Sequence, residues 1–222
     1  KGKEAWVEPL VDRESKTVAF QVHTGSGKWP EPPKVGRGAN FRCLVCEQVA
    51  PDDHIKAEGR AKRMGAQLMA VVAEGQRERI YLSPTNDDEM VARAARPKWV
   101  PEGELADDPR NVWTVNYGLT RFSDLFTARQ LVAVTTFVDL IAPVRQLARR
   151  DAIAAGLADD EVGLEGGGTG ATAYADAVAT YLAFAVDRVV DRHTTIATWD
   201  SSPTKLQLRN TFARQAIPMT WD

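Results

Sequence analysis

Phe41-Arg42-Cys43-Leu44-Val45-Cys46 is the stretch on which the reading of this chain turns, because it holds both cysteines of a 222-residue sequence. Cys-x-x-Cys is the spacing of a metal knuckle, since two intervening residues let both sulfurs approach one zinc at about 2.3 Å. A closed tetrahedral site needs four ligands, so Cys43 and Cys46 supply half of one. His23 and His54 are the nearby nitrogens that could add to it. The competing reading is an orphaned pair, reduced and metal-free. The chain opens on Lys1 rather than methionine and stops at Met219-Thr220-Trp221-Asp222 without a polar tail. The expectation is an internal piece of a longer protein.

Outward from the knuckle, the first 50 residues alternate as strands do. Ala5 to Pro9 and Thr17 to Val22 read as two strands joined by a polar turn at Asp12 to Ser15. Gly25 to Pro33 reads as a loop, because glycine and proline oppose regular pairing. Phe41-Arg42-Cys43 reads as a third strand entering the knuckle.

Beyond residue 50 the pattern turns helical. Asp52 or Asp53 caps an expected helix to about Glu74, with Ala57, Ala61, Met64, Leu68 and Val71 on its buried face. Lys56, Arg60 and Arg63 recur on another face of it. Gly59 and Gly65 each cost about 1 kcal/mol relative to alanine inside a helix, so something should approach closely there. Arg79 to Leu82 reads as a strand, Asp87 to Arg96 as a short helix, and residues 97 to 121 as an ordered, irregular connection. Thr127-x-x-Gln130 matches a capping box. Leu131, Val134, Val138 and Ile141 form a stripe, which Pro143 should kink or interrupt. Gly166 to Gly170 reads as a flexible linker, and Tyr174, Val178, Tyr181, Ala185 and Val189 mark a last helix ending near His193. The expected fold class is α+β: a small β-rich, truncated zinc-ribbon-like part over 1–50, then a mainly α-helical body over 51–222 with one short strand near 79–82.

Composition narrows the function classes. Hydrophobic content of 44% and charged content of 26% are those of a globular protein with a sizeable core. A net charge of −2 gives no global attraction to nucleic acid, so any such contact needs a local basic patch. Two closely spaced cysteines suit a reducing, cytoplasmic setting better than a disulfide framework. The longest apolar run, Tyr181 to Val190, falls short of a membrane span.

Candidate chemistry is sparse. Thr24-Gly25-Ser26-Gly27-Lys28 has too short a glycine spacing for a phosphate loop and runs into Trp29-Pro30, so a turn is the better reading. Gly166 to Gly170 lacks the lysine. The face of Lys56, Arg60 and Arg63, with Lys62 beside it, could lie along phosphates and release counterions, or could simply be solvated. Arg188, Arg192 and His193 complement a helix C-terminus. No triad or carboxylate pair suggests an active site.

Several stretches together resemble one family, the bacterial adenine-specific DNA methylases that carry a zinc ribbon and an N-terminal domain of unknown function. They are Val7-Glu-Pro-Leu-Val-Asp-Arg13, the Cys43 to Cys46 knuckle, and Ile55-Lys-Ala-Glu-Gly-Arg-Ala-Lys-Arg-Met-Gly-Ala-Gln-Leu-Met69. Arg79-Ile-Tyr-Leu-Ser-Pro-Thr85, Asp124-Leu-Phe-Thr-Ala-Arg-Gln-Leu131, Tyr174-Ala-Asp-Ala-Val-Ala-Thr-Tyr-Leu-Ala183 and Arg209-Asn-Thr-Phe-Ala-Arg-Gln-Ala-Ile-Pro-Met219 complete the set.

The resemblance implies an S-adenosylmethionine-dependent parent enzyme whose cofactor loop lies upstream of this chain. Its Asp-Pro-Pro-Tyr type motif would lie downstream. The one Pro-Pro pair here, Pro32-Pro33, lacks the aromatic that stacks on a flipped base. Cys43 and Cys46 carry over as two of four zinc ligands, with the other pair expected before Lys1. The expected role is a non-catalytic region that helps bind DNA or position the target strand. The alternative is a scaffold packing on the missing catalytic portion of the same protein. An independent enzyme whose site the sequence does not connect is a third, weaker possibility.

Overall fold

A computed structural model describes residues 4–108, 113–202 and 204–211. Most of the Arg209 to Met219 stretch therefore lies outside the described residues. The architecture is α+β, with small antiparallel sheets in the N-terminal part and a mostly helical body.

Alternation dictates the first hairpin. Strand β1 (Ala5–Asp12) pairs antiparallel with β2 (Thr17–Thr24), setting Ala5 opposite Thr24 and Asp12 opposite Thr17. The Asp12 carboxylate closes the turn by accepting the amides of Glu14 at 2.9 Å and Ser15 at 3.2 Å, with Lys16 in the left-handed region. The short strands β3 (Phe41–Arg42) and β4 (Val49–Ala50) make a second hairpin, whose turn is the knuckle itself.

Helix α1 spans Asp52–Arg60, not residues 52 to 74. Its C-terminus is a Schellman turn: the Arg63 amide bonds back to the Glu58 carbonyl at 3.0 Å, and the Lys62 amide to that of Gly59 at 2.9 Å. Lys62 takes the left-handed cap position at φ 56°, and its Nζ reaches the Gly118 carbonyl and Asp124. These partners are remote in sequence, so helical periodicity gave no sign of them. The buried face also differs from the expected one. Ile55 and Gly59 point inward while Ala57 and Ala61 are exposed. Phe41, Ile55 and Tyr117 form the core here, with Ala39 and Ala50 packed around them.

The distal part of the expected helix instead forms strand β5 (Val71–Glu74), paired antiparallel with β6 (Arg79–Leu82). Leu68 lies outside β5, and β-branched Val71-Val72 favours the strand over a helical continuation. Helix α2 (Asn86–Ala94) begins in a capping box of Thr85 with Asp88. The connection over 97 to 121 is ordered where described. Leu105 and Tyr117 are buried in it, and residues 113–117 make a 3₁₀ turn.

Helix α3 (Ala128–Ala154) begins in the expected capping box, Thr127 with Gln130. Pro143 lies inside it without interrupting it. The helix stops at Gly156 in another Schellman turn, with Leu157 bonded to Ala152 and Gly156 to Ile153. At 27 residues it is long and apolar enough by length and composition to cross a membrane, which contiguous apolar runs did not reveal. Helix α4 (Ala171–Val190) buries Ala171, Thr172, Ala173 and Ala175, and leaves the expected stripe residues Tyr174 and Tyr181 exposed. Small residues let α3 approach closely. Arg145 bonded to Asp176 and Arg149 to Thr172 show that the two helices run antiparallel.

Two further short strands, β7 (Trp199–Asp200) and β8 (Gln207–Leu208), pair antiparallel, so the C-terminal region holds more strand than expected. The chain forms two compact units. One comprises 1–95, 102–125 and 196–222; the other comprises 96–101 and 126–195.

Candidate functional site

The hairpin of β3 and β4 pre-shapes the knuckle. The Cys43 amide donates to the Gln48 carbonyl at 2.8 Å, and the Glu47 amide returns to the Cys43 carbonyl at 2.9 Å. Glu47 occupies the left-handed position at φ 63° that this tight turn requires. The turn points the Cys46 and Val45 amides at the Cys43 sulfur, and the Cys46 thiol hydrogen-bonds to it as well. Together these hold the Cys43 thiol below its ordinary value of 9.0. Thiolate is the form that binds metal, so the local geometry favours a ligand. Both cysteines are exposed and free. Arg13 braces the turn through a 2.5 Å ion pair to Glu47.

The residues present fit zinc as two thiolates of a set of four. Among the described residues no group of three or more His, Cys, Asp or Glu could hold a metal. Neither histidine considered from the sequence completes the site. His23 stacks on Trp6 with ring centroids 5.5 Å apart. Its Nε2 lies 2.7 Å from Glu8 yet is not aligned for a hydrogen bond, so the contact is an ion-pair distance only. His54 is exposed on α1.

The expected basic face is largely neutralised. Lys56 Nζ sits 2.5 Å from Asp52, a bond that raises the lysine pKa. Arg63 lies beyond the end of α1 and grips Glu58 with two bonds of 2.7 and 2.6 Å. Arg60 is exposed and has no ion pair among the described residues. The structure thus leaves one of these three cations open to a phosphate.

The glycine-rich stretch is not a flexible linker. Leu164–Gly166 forms a 3₁₀ turn and Gly167 takes φ 78°. Asp160 accepts the amides of Val162 at 3.1 Å and Thr169 at 3.0 Å. Asp159 accepts the Thr172 amide at 3.0 Å and ion-pairs with Arg149 at 2.6 Å. Burial pushes the Asp159 carboxyl up, but the bonds from Thr172 and Arg149 outweigh it and bring it down to about 2. Carboxylates already occupy the start of α4, so a phosphate there would meet repulsion rather than free amides. At the other end of α4, a His193 ring nitrogen lies 2.8 Å from the Val189 carbonyl, in keeping with a helix-terminal role.

Thr24 ends β2, and Gly25-Ser26 bends the chain into an extended Gly27-Lys28, with no helix following. The Gly25 amide extends the β1–β2 ladder by donating to the Glu4 carbonyl at 2.8 Å, and Gly27 packs against the Trp6 ring.

One feature escaped the sequence reading. In Gly36-Arg37-Gly38, both glycines are left-handed, at φ 62° and 80°. The Asn40 side chain donates to the Arg37 carbonyl at 2.8 Å and accepts the Asp52 amide at 3.0 Å, fixing the turn against α1. Two glycines flanking an arginine were the available signal.

An open groove of about 450 Å³ lies against α3 and α4, lined by Ala152, Leu157, Tyr174 and Val178 among others. Its lining is apolar apart from the Tyr174 hydroxyl and Asp151, which is paired with Arg150 at 3.1 Å. That is not a set of groups converging on a reacting atom. No known protein family matches the chain, nor does any curated protein or solved structure.

Proposed function

We propose that the chain is a non-catalytic internal region of an S-adenosylmethionine-dependent adenine-specific DNA methyltransferase, contributing to DNA binding or target positioning. The observation that carries this reading is the Cys43 to Cys46 knuckle. Its turn directs two amides at one sulfur, as a zinc-ribbon half-site requires, within stretches that resemble that family. Two further thiolates from the rest of the parent protein would close the site around zinc. Two exposed thiols suit a reducing cytoplasm. The cofactor and the methyl transfer belong to the parent's catalytic portion.

The test is fluorescence anisotropy of a labelled adenine-containing duplex titrated with the chain across a salt series. Binding that weakens steeply with salt is the expected result, because phosphate contacts release counterions. Absence of binding even at low salt would remove the DNA-contacting role.

One observation favours a second reading, a scaffold that packs on the catalytic portion. Thr136 to Leu140 are all exposed on α3, and Trp99 meets this turn through a 3.0 Å bond to Asp139. Continuing the register of Arg145 with Asp176 sets this turn beside Tyr181 to Ala185. Phe137, Leu140, Tyr181 and Phe184 are 49%, 49%, 76% and 59% exposed. Such an apolar band is characteristic of an interface. Light scattering that reports a strict monomer at high concentration would count against it.

A further inference from the structure

We propose that the Gly36–Gly38 turn and its flanks, bearing Lys34, Arg37 and Arg42, are the edge of the ribbon that contacts the phosphate backbone of duplex DNA. This rests on the DNA-binding reading above and moves the contact away from the α1 cations. Lys34, Arg37 and Arg42 are exposed, and none has an ion pair among the described residues. Residues 28 to 42 carry four cations, Lys28 included, against the single carboxylate Glu31. The nearest other acid in sequence, Glu47, is ion-paired with Arg13 and feels the Arg42 charge only as a weaker effect without an ion pair. In a chain of net charge −2, this is a local concentration of positive charge.

The backbone presents these charges in a fixed frame. Lys34 bridges to Phe41, and the Arg42 amide donates to the Pro33 carbonyl at 2.7 Å. The Val35 amide donates to the Asn40 carbonyl at 2.9 Å, so Arg37 stands at the tip of a closed turn. A Cβ placed on Gly36 would meet nothing within 4 Å, so the tip is open to an approaching strand. By contrast, two of the three expected α1 cations are held by carboxylates. A phosphate would have to displace those partners first. Cations that no carboxylate holds in an ion pair release counterions at a smaller cost.

The test compares K34E/R37E/R42E with K56E/R60E/R63E in the same salt-dependent anisotropy titration. The ribbon variant should bind at least about tenfold more weakly at low salt. Its slope of log K against log salt should be shallower by about 0.9 for each phosphate no longer neutralised. The α1 variant should bind close to wild type. If the ribbon variant loses its cooperative melt, Arg37→Gln carries the test, since it removes one exposed charge at the tip. It should shift affinity and slope in the same direction by a smaller step. Wild-type binding that the ribbon variants retain overturns this assignment while leaving the DNA reading intact. A wild type that does not bind at low salt overturns the DNA reading, and this inference with it.

Discussion

Gly59 and Gly118 hold two stretches of backbone together with no side chain between them. A Cβ on Gly59 would lie 2.5 Å from the Tyr117 carbonyl oxygen, and one on Gly118 would lie 2.5 Å from the Gly59 oxygen. Gly118 also sits at φ 78°, where a side chain adds strain. The contact seats Tyr117 against Phe41 and Ile55, so a helix, a 3₁₀ turn and the ribbon share one small core.

Alanine at position 59 should therefore destabilise the chain despite the better helix former. Helix propensity gains about 1 kcal/mol. Overpacking against backbone that cannot yield costs about 1–3 kcal/mol. Urea unfolding of Gly59→Ala should show a net loss, whereas Gly65→Ala, with nothing within 4 Å, should be close to neutral. A more stable Gly59→Ala chain would mean the close approach does not exist.

The glycine stretch before α4 should behave as folded structure. The amides of Thr169, Ala171 and Thr172 are bonded to Asp160, Ala158 and Asp159 at 3.0 Å each. Hydrogen exchange should show them protected far beyond exposed-loop rates. A Cβ on Gly170 would lie 2.7 Å from the Asp160 amide nitrogen, so Gly170→Ala should lower that protection locally. Random-coil exchange at all three amides in the wild type would restore the linker reading.

Acid sensitivity should follow two depressed carboxyls. Bonds from Ser202, and then Arg209, bring Asp200 down to about 2, the level Asp159 also reaches. Each is lowered in the folded state from an ordinary 3.8. The stability they contribute is therefore fully present above that ordinary value and is lost as the pH falls through it toward about 2. Urea midpoints should fall across this window, and Asp159→Asn should be less stable above it but flatter through it. Identical pH profiles for wild type and variant would contradict the assignment.

Cys43 should react as an activated thiol. Its amide and thiol hydrogen bonds favour the thiolate. Alkylation mapped by mass spectrometry should be faster at Cys43 in the folded chain than in urea at neutral pH. Added zinc should slow it. Equal folded and unfolded rates would show that the turn does not direct its amides at the sulfur.

Some short-range chemistry was legible in the sequence. The Thr127–Gln130 capping box, the hairpin closed by Asp12, and the knuckle turn each satisfy their hydrogen bonds within a few residues, so residue type and spacing suffice. Tertiary structure decided where α1 ends and which of its faces is buried. Those outcomes rest on Tyr117, Gly118 and Asp124, which lie 56 to 62 residues from their Gly59-side and Lys62 partners in the chain. The glycine stretch differs, because its partners lie within 2 to 13 residues. A run of glycines allows mobility, but the carboxylates of Asp159 and Asp160 supply partners for the local backbone amides and fix it. Sequence alone set the local conformations, because those are closed by neighbouring atoms. Only the fold could choose among continuations that local preference leaves nearly equal in free energy.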